Sequence, residues 1–157
     1  HSGKIINIIN PDPNETLLNF VRNKLKKTGT KEGCAEGGCG ACTVVLGELK
    51  DNDINYTAIN SCITFLPTLS GKQLILVEDL ISKDNLIHPV QEAMVKCHGS
   101  QCGFCTPGFV VAVRALLNKN PDATESQIRQ GLNGNICRCG TYNNIIKAAL
   151  DVVKGGV

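Results

Sequence analysis

The stretch GCAEGGCGAC, residues 33–42, places three cysteines and four glycines within ten positions. The cysteines follow the spacing C-x4-C-x2-C, and a further cysteine lies twenty residues beyond the last of them. This is the plant-type spacing of the thiolates that hold a [2Fe–2S] cluster. The glycines let the backbone approach an inorganic core without Cβ clashes and adopt positive φ. We therefore predict one cluster, with a zinc site as the alternative, on Cys34, Cys39, Cys42 and Cys62.

Four more cysteines form a second set with the spacings C-x2-C and C-x-C. They are Cys102, Cys105, Cys137 and Cys139. This spacing alone fits zinc as well as an iron–sulfur cluster. Each pair directly precedes a predicted helix start, at Thr106-Pro107 and at Thr141. The positive ends of two helices would stabilise thiolates and an anionic cluster between them.

The ninth cysteine, Cys97, continues an apolar helical stripe formed by Val90, Ala93 and Met94. We expect it to be a buried structural thiol. The odd total of nine argues against a fully paired disulfide framework. The N-terminal residues contain no apolar signal segment. We therefore expect reduced thiols and a cytoplasmic location.

The composition indicates a small globular protein whose core is poor in aromatic side chains. The chain has 157 residues, 42% of them hydrophobic, with six aromatic residues and no tryptophan. This length accommodates two small domains, and a metal centre in each would compensate for the thin core. The formal net charge of +2 gives no reason to expect nucleic acid or an anionic membrane as a partner. No apolar run approaches the roughly 18 residues of a membrane-spanning helix.

The first half of the chain is typical of short strands around one helix. The predicted strands lie at residues 4–10, 43–46, 54–59 and 72–77, with a polar turn at 50–53. Leu17, Val21 and Leu25 recur on one face of a predicted helix at residues 16–27. This pattern favours a small α+β domain that ends near residue 80.

The second half predicts four short helices in a loose repeat of helix, cysteine loop, threonine and helix. The helices start at Pro89 and at residues 106, 124 and 141, and the last three run to about residues 117, 132 and 154. Proline suits the first turn of a helix. Thr124-x-x-Gln127 is a capping-box pattern, and Gly155-Gly156 is a predicted helix terminator.

Three motifs together resemble the iron–sulfur part of the xanthine dehydrogenase family of molybdenum hydroxylases. They are GCAEGGCGACTVV at residues 33–45, SQCGFCTPG at 100–108 and GNICRCG at 134–140. The resemblance covers residues 4–154 in the family's order. It implies a ferredoxin-like (β-grasp) [2Fe–2S] domain at residues 1–80 and an all-α four-helix [2Fe–2S] domain at 81–157. The first cysteine quartet matches the ligands of the first cluster, and the second quartet matches those of the second cluster.

The resemblance also implies a function. In such enzymes the substrate is hydroxylated at a molybdenum–pterin centre, and electrons cross the helical-domain cluster and the ferredoxin-like cluster to FAD. Gln101 matches the family glutamine that approaches the pterin. The chain would then be an electron-transfer component that is inactive alone and works with molybdopterin-bearing and FAD-bearing subunits or domains. The end at Val157 implies a separate small subunit or the N-terminal piece of a longer chain.

Three alternatives to this function stay open at the level of sequence. The chain could serve another molybdenum hydroxylase, of the aldehyde, nicotinate or carbon monoxide dehydrogenase type. It could be a free-standing ferredoxin, or a zinc-stabilised interaction module without a redox role.

Overall fold

The computed structural model describes residues 3–81 and 86–155. In its first half, a three-stranded antiparallel sheet has the order β2-β1-β3, with β1 at Thr43–Lys50, β2 at Asp53–Asn60 and β3 at Gln73–Ile75. Asp51 and Asn52 both have positive φ at the turn between the first two strands. A two-residue turn with positive φ at both positions has a backbone twist that matches the right-handed twist of the flanking strands. The structure thus confirms the predicted strand pair, which extends further than the sequence indicated.

The central strand β1 separates two hydrophobic clusters because successive side chains of a strand point to opposite faces. Val44 packs with Leu17, Phe20 and Val21 of the N-terminal helical segment. Its neighbour Val45 belongs instead to the cluster formed by the helices of the second half. One strand therefore carries core residues for both halves of the chain.

The N-terminal helix is shorter than predicted. Helix α1 occupies Leu17–Asn19 and continues as a π-helical segment at Phe20–Lys24. The Thr16 side chain accepts a hydrogen bond from the Asn19 amide at 3.2 Å and so caps the first turn. Lys26 has a φ of 58°, which is incompatible with continuation of the helix.

The predicted strand at residues 4–10 is wrong, because none of the described residues pairs with it. Ile5 and Ile9 are exposed to 91% and 87%, and no core formed by the described residues covers them. An Ile-rich run favours extended backbone, but a strand also needs a neighbour for its N–H and C=O groups.

The last predicted strand, at residues 72–77, is shortened to β3. After it, the Asp79 carboxylate accepts from the Leu76 amide at 2.8 Å. This side-chain bond belongs to a single 3₁₀ turn at Val77–Leu80, which ends the extended segment.

The four predicted helices of the second half are all present. They are α2 at Pro89–Lys96, α3 at Thr106–Lys119, α4 at Glu125–Gly131 and α5 at Tyr142–Val153. The capping box of α4 is formed: the Thr124 amide donates to Gln127 Oε1 at 2.9 Å, and the Gln127 amide donates to Thr124 Oγ1 at 3.4 Å. Gly155 follows α5 with a φ of 67°. The second predicted terminator residue, Gly156, lies outside the described residues.

The two halves share one hydrophobic core. Helix α3 packs against β1, and α2 packs against α5. The same buried cluster contains Val45 and Ile75 of the sheet together with Phe109 and Val111 of α3. The division of the chain at residues 80 and 81 stays a prediction. Within the described ranges, no helix is long and apolar enough to cross a membrane.

Candidate metal centres

The structure brings the first cysteine quartet together at one end of the β1–β2 hairpin. Cys42 directly precedes β1 and Cys62 follows β2 by two residues, while Thr43 pairs with Asn60 across the hairpin. The Ser61 hydroxyl donates to the Cys42 carbonyl at 2.7 Å, which fixes this end of the hairpin. The glycine-rich loop then folds back over it.

The four thiols of this site form two pairs. Cys34 lies close enough to Cys39 for their side chains to interact, and Cys42 lies equally close to Cys62. Cys34 is close enough to Cys62 to influence it electrostatically, which places the two pairs side by side.

Backbone amides of the loop point at sulfur. The Glu36 amide lies 3.3 Å from Cys34 Sγ, and the Cys34 amide lies 3.3 Å from Cys39 Sγ. Ala35, with a φ of 58°, supplies part of the sharp bend that turns these amides inward. The Glu36 amide is the main reason why the pKa of Cys34 falls to about 7, whereas burial raises the pKa of Cys62 to about 11.

The second quartet lies between the N-termini of α3 and α5. Cys105 is the N-cap residue of α3 and Thr106 is the first residue of that helix, while Thr141 is the N-cap residue of α5. Here too the thiols pair, Cys102 with Cys139 and Cys105 with Cys137. Cys137 is buried, whereas Cys102 and Cys139 are exposed. One pair of this site therefore faces outward.

Burial and local hydrogen bonds act in opposite directions on the pKa values of Cys102, Cys105 and Cys137. The Phe104 amide lowers the pKa of Cys102, and burial raises the pKa of Cys105 to about 12. For Cys137, burial is the largest single effect and raises the pKa, but hydrogen bonds from Thr141 and Cys105 outweigh it and bring the pKa to about 7. The Thr141 hydroxyl lies 3.1 Å from Cys137 Sγ.

The arrangement of donors fits two-iron clusters. Among residues 3–81 and 86–155, no three side chains of His, Cys, Asp or Glu are arranged to hold one metal ion. Eight of the nine free cysteines instead form two sites, each with two pairs of thiols. A [2Fe–2S] cluster takes four thiolates divided between its two irons, whereas a structural zinc ion takes all four ligands at one point.

The structure also places the two remaining residues that the sequence analysis identified, Gln101 and Cys97. Gln101 is exposed in the loop before the second quartet. Cys97 is 6% exposed and belongs to the shared core together with Val90 and Met94. Sequence reasoning missed Asn135, which is buried and hydrogen-bonds to the first cysteine loop. Its position two residues before Cys137 gives no signal of that contact.

Comparisons with known proteins agree with the two-site arrangement. Residues 2–67 match a family model described as "2Fe-2S iron-sulfur cluster binding domain", and residues 76–150 match one described as "[2Fe-2S] binding domain". A xanthine dehydrogenase from Blastobotrys adeninivorans is 51% identical over 145 residues, which are 90% of this chain and 10% of that protein. Aldehyde oxidase 1 from Bos taurus is 44% identical over 155 residues, 98% of this chain and 12% of that protein.

Solved structures show the same likeness. The aldehyde oxidoreductase from Desulfovibrio gigas aligns with a TM-score of 0.84 and 33% identity, covering 99% of this chain and 17% of that one. A chain of quinoline 2-oxidoreductase from Pseudomonas putida 86 aligns with a TM-score of 0.76 and 31% identity, covering 94% of this chain and 89% of that one. This chain thus spans about a tenth of the length of the first relatives and nearly all of the quinoline 2-oxidoreductase chain. It belongs to the family of iron–sulfur chains and regions, with two [2Fe–2S] binding domains, found in the xanthine dehydrogenase and aldehyde oxidase type of molybdenum hydroxylase.

Proposed function

We propose that the chain passes electrons singly from a molybdopterin centre to FAD within a xanthine dehydrogenase-type molybdenum hydroxylase. The observation that carries this proposal is the presence of two thiol quartets, each divided into two pairs, in loops that contact each other. Two one-electron sites allow the two electrons released by a two-electron oxidation to be passed on one at a time.

We also propose which cysteines bind each cluster. The first cluster is held by Cys34, Cys39, Cys42 and Cys62, and the second by Cys102, Cys105, Cys137 and Cys139. When bound, each cluster supplies reversible one-electron redox chemistry. The chain's own residues present the thiolates, direct loop amides at sulfur and place the N-termini of α3 and α5 beside the second quartet. Such hydrogen bonds and burial tune the reduction potential.

The proposed ferredoxin-like (β-grasp) domain, residues 1–80, is supported by the three-stranded sheet packed on α1. The proposed four-helix domain, residues 81–157, is supported by α2 to α5.

Partners follow from the size of the relatives. Because the chain spans about a tenth of its first relatives, we propose molybdopterin-bearing and FAD-bearing domains or subunits as its partners, and no turnover of substrate by this chain alone. The exposed pair Cys102 and Cys139, with exposed Gln101 beside it, supports an approach of the pterin from this side. A cytoplasmic location stays a prediction that rests on the need for reduced thiols.

Metal analysis of the purified protein tests the proposal. We expect about four iron atoms and about four acid-labile sulfides per chain, since each cluster contains two of each. The protein should be red-brown, should bleach with dithionite, and should then show two S = 1/2 signals in electron paramagnetic resonance (EPR). A colourless protein that contains zinc and no labile sulfide would falsify the redox function in favour of a zinc-stabilised module.

A further inference from the structure

The loops that hold the two cysteine quartets contact each other through the backbone. The Ile136 amide donates a hydrogen bond to the Cys39 carbonyl at 2.9 Å. Because Ile136 directly precedes Cys137, this bond connects the backbone of one quartet to that of the other. The position of one site relative to the other therefore depends on whatever holds these two loops in contact.

The buried side chain of Asn135 also stabilises this contact between the two loops. It is 8% exposed, and its Nδ2 lies 3.0 Å from the Gly40 carbonyl and 3.3 Å from Thr43 Oγ1. The Thr43 hydroxyl donates to the same carbonyl at 2.7 Å, and the Thr43 amide lies 3.2 Å from it. The Gly40 carbonyl thus receives three donors, while the Thr43 hydroxyl accepts from Asn135. Because the buried groups of this network are hydrogen-bonded to one another, the network favours a single relative position of the two loops.

Two glycines make the close approach possible. A Cβ atom on Gly108, in the first turns of α3, would collide with the Gly40 carbonyl. A Cβ atom on Gly40 would collide with the Gly134 carbonyl, and Gly40 also has a φ of 69°. Any larger residue at either position would push the loops apart. The network therefore lies where the first cysteine loop, the helix start after Cys105 and the loop before Cys137 all meet.

We propose that Asn135 is a positioning residue: with Thr43 and the Gly40 carbonyl, it holds the two cysteine quartets at the separation and orientation at which electrons pass between them. This inference rests on the proposed function. In the exchange, one electron leaves the reduced site and enters the oxidised site, and no bond or proton is involved. Because electron exchange weakens steeply with separation, a small shift of one loop slows it while leaving each cluster intact.

The test compares Asn135→Ala with Asn133→Ala in the intact protein that contains this chain. Asn133 is a matched control because it lies on the same loop and is exposed. Two quantities are measured: the spin–spin splitting between the two reduced sites by EPR, and the rate of electron equilibration between the sites after pulse radiolysis. We expect Asn135→Ala to weaken the splitting and to slow equilibration severalfold at wild-type iron and sulfide content. Asn133→Ala should change neither quantity.

A second pair of variants keeps the test decisive if Asn135→Ala fails to bind iron. Thr43→Val removes the hydroxyl with little change in shape, and Thr43→Ser retains it. Thr43→Val should weaken the spin–spin splitting, whereas Thr43→Ser should keep the wild-type splitting. Wild-type splitting and rate in an Asn135→Ala or Thr43→Val protein that holds both clusters would overturn the inference. Failure of the proposed function itself would show differently, as missing iron and sulfide in the wild type.

Discussion

Cys97 and Cys139 have the same side chain but opposite surroundings. Cys97 is buried in the shared core at the end of α2, whereas Cys139 is exposed and paired with Cys102. We expect Cys139→Ala to lose the second cluster, so that iron falls from about four to about two atoms per chain. Cys97→Ala, the matched control, should retain both clusters because its thiol lies in the hydrophobic core and belongs to neither quartet.

Iron and labile-sulfide determination, together with the number of EPR signals, checks this prediction. Loss of iron in the Cys97→Ala protein would contradict the role assigned to the ninth cysteine.

Ala35 adopts a conformation that suits glycine. Its φ of 58° lies in the left-handed region, which costs a residue with a Cβ atom roughly 1–2 kcal/mol. Because glycine also loses more backbone entropy on folding, we expect Ala35→Gly to stabilise the protein by a net gain of about 1 kcal/mol. The midpoint of thermal bleaching should rise by about 2–4 °C.

Ala58→Gly provides the control for this prediction, since Ala58 is exposed in β2 and has no positive φ. We expect it to lower the same midpoint, because glycine weakens a strand. An equal shift in both variants would show that the left-handed conformation of Ala35 carries no strain.

At the scale of the element, helix starts were predictable because their signals are local. Pro89 and the Thr124–Gln127 capping box act within a few residues of themselves, and both helices begin where the sequence indicated. The strand predicted at residues 4–10 failed for the opposite reason. Its Ile-rich pattern describes one chain segment, whereas a strand is completed by a second segment that the pattern does not contain.

Helix α2 contains a cap that depends on pH. The Val90 amide lies 3.2 Å from His88 Nδ1, which accepts this bond when neutral. Burial, and to a smaller extent the charge of Arg114, lower the pKa of His88 below its ordinary value of 6.5. The unfolded chain therefore binds a proton more readily than the folded protein. The contribution of neutral His88 to the stability of the folded protein is complete above about pH 6.5 and is lost as the pH falls below that value.

Comparison with His88→Asn tests this prediction, because asparagine caps a helix without titrating. The melting temperature of each protein is measured from about pH 8 to about pH 5.5. We expect the wild type to lose stability relative to the variant on acidification. A constant difference across that range would show that the ionisation of His88 does not affect folding.

At the scale of the whole molecule, the side chain of Val45 connects the two halves. It is fully buried in the cluster that contains α3, yet it belongs to the sheet. We expect Val45→Ala to cost about 2 kcal/mol through lost burial and the resulting cavity. On heating, both clusters should then be lost together, at a lower temperature than in the wild type, as shown by the disappearance of their EPR signals. Val95→Ala, on a side chain that is 72% exposed, should have little effect. Loss of one signal well before the other would contradict a shared core.

The grouping of eight cysteines into two quartets could be predicted because the short spacings between neighbouring cysteines are visible in the sequence. The pairing of the thiols, Cys34 with Cys39 and Cys42 with Cys62, required the hairpin register that brings Thr43 opposite Asn60. Asn135 could not be predicted at all. Its amide reaches Gly40 across a separation of 95 residues, and the sequence near it contains no sign of that partner.

The shared core also limits how the chain can be taken apart. Two family models cover it in succession, yet a cut near residue 80 would leave Val45 and Ile75 on one piece and the buried face of α3 on the other. Each fragment would then expose apolar surface that the other normally covers. Neither piece is therefore expected to keep its fold once it is separated from the other.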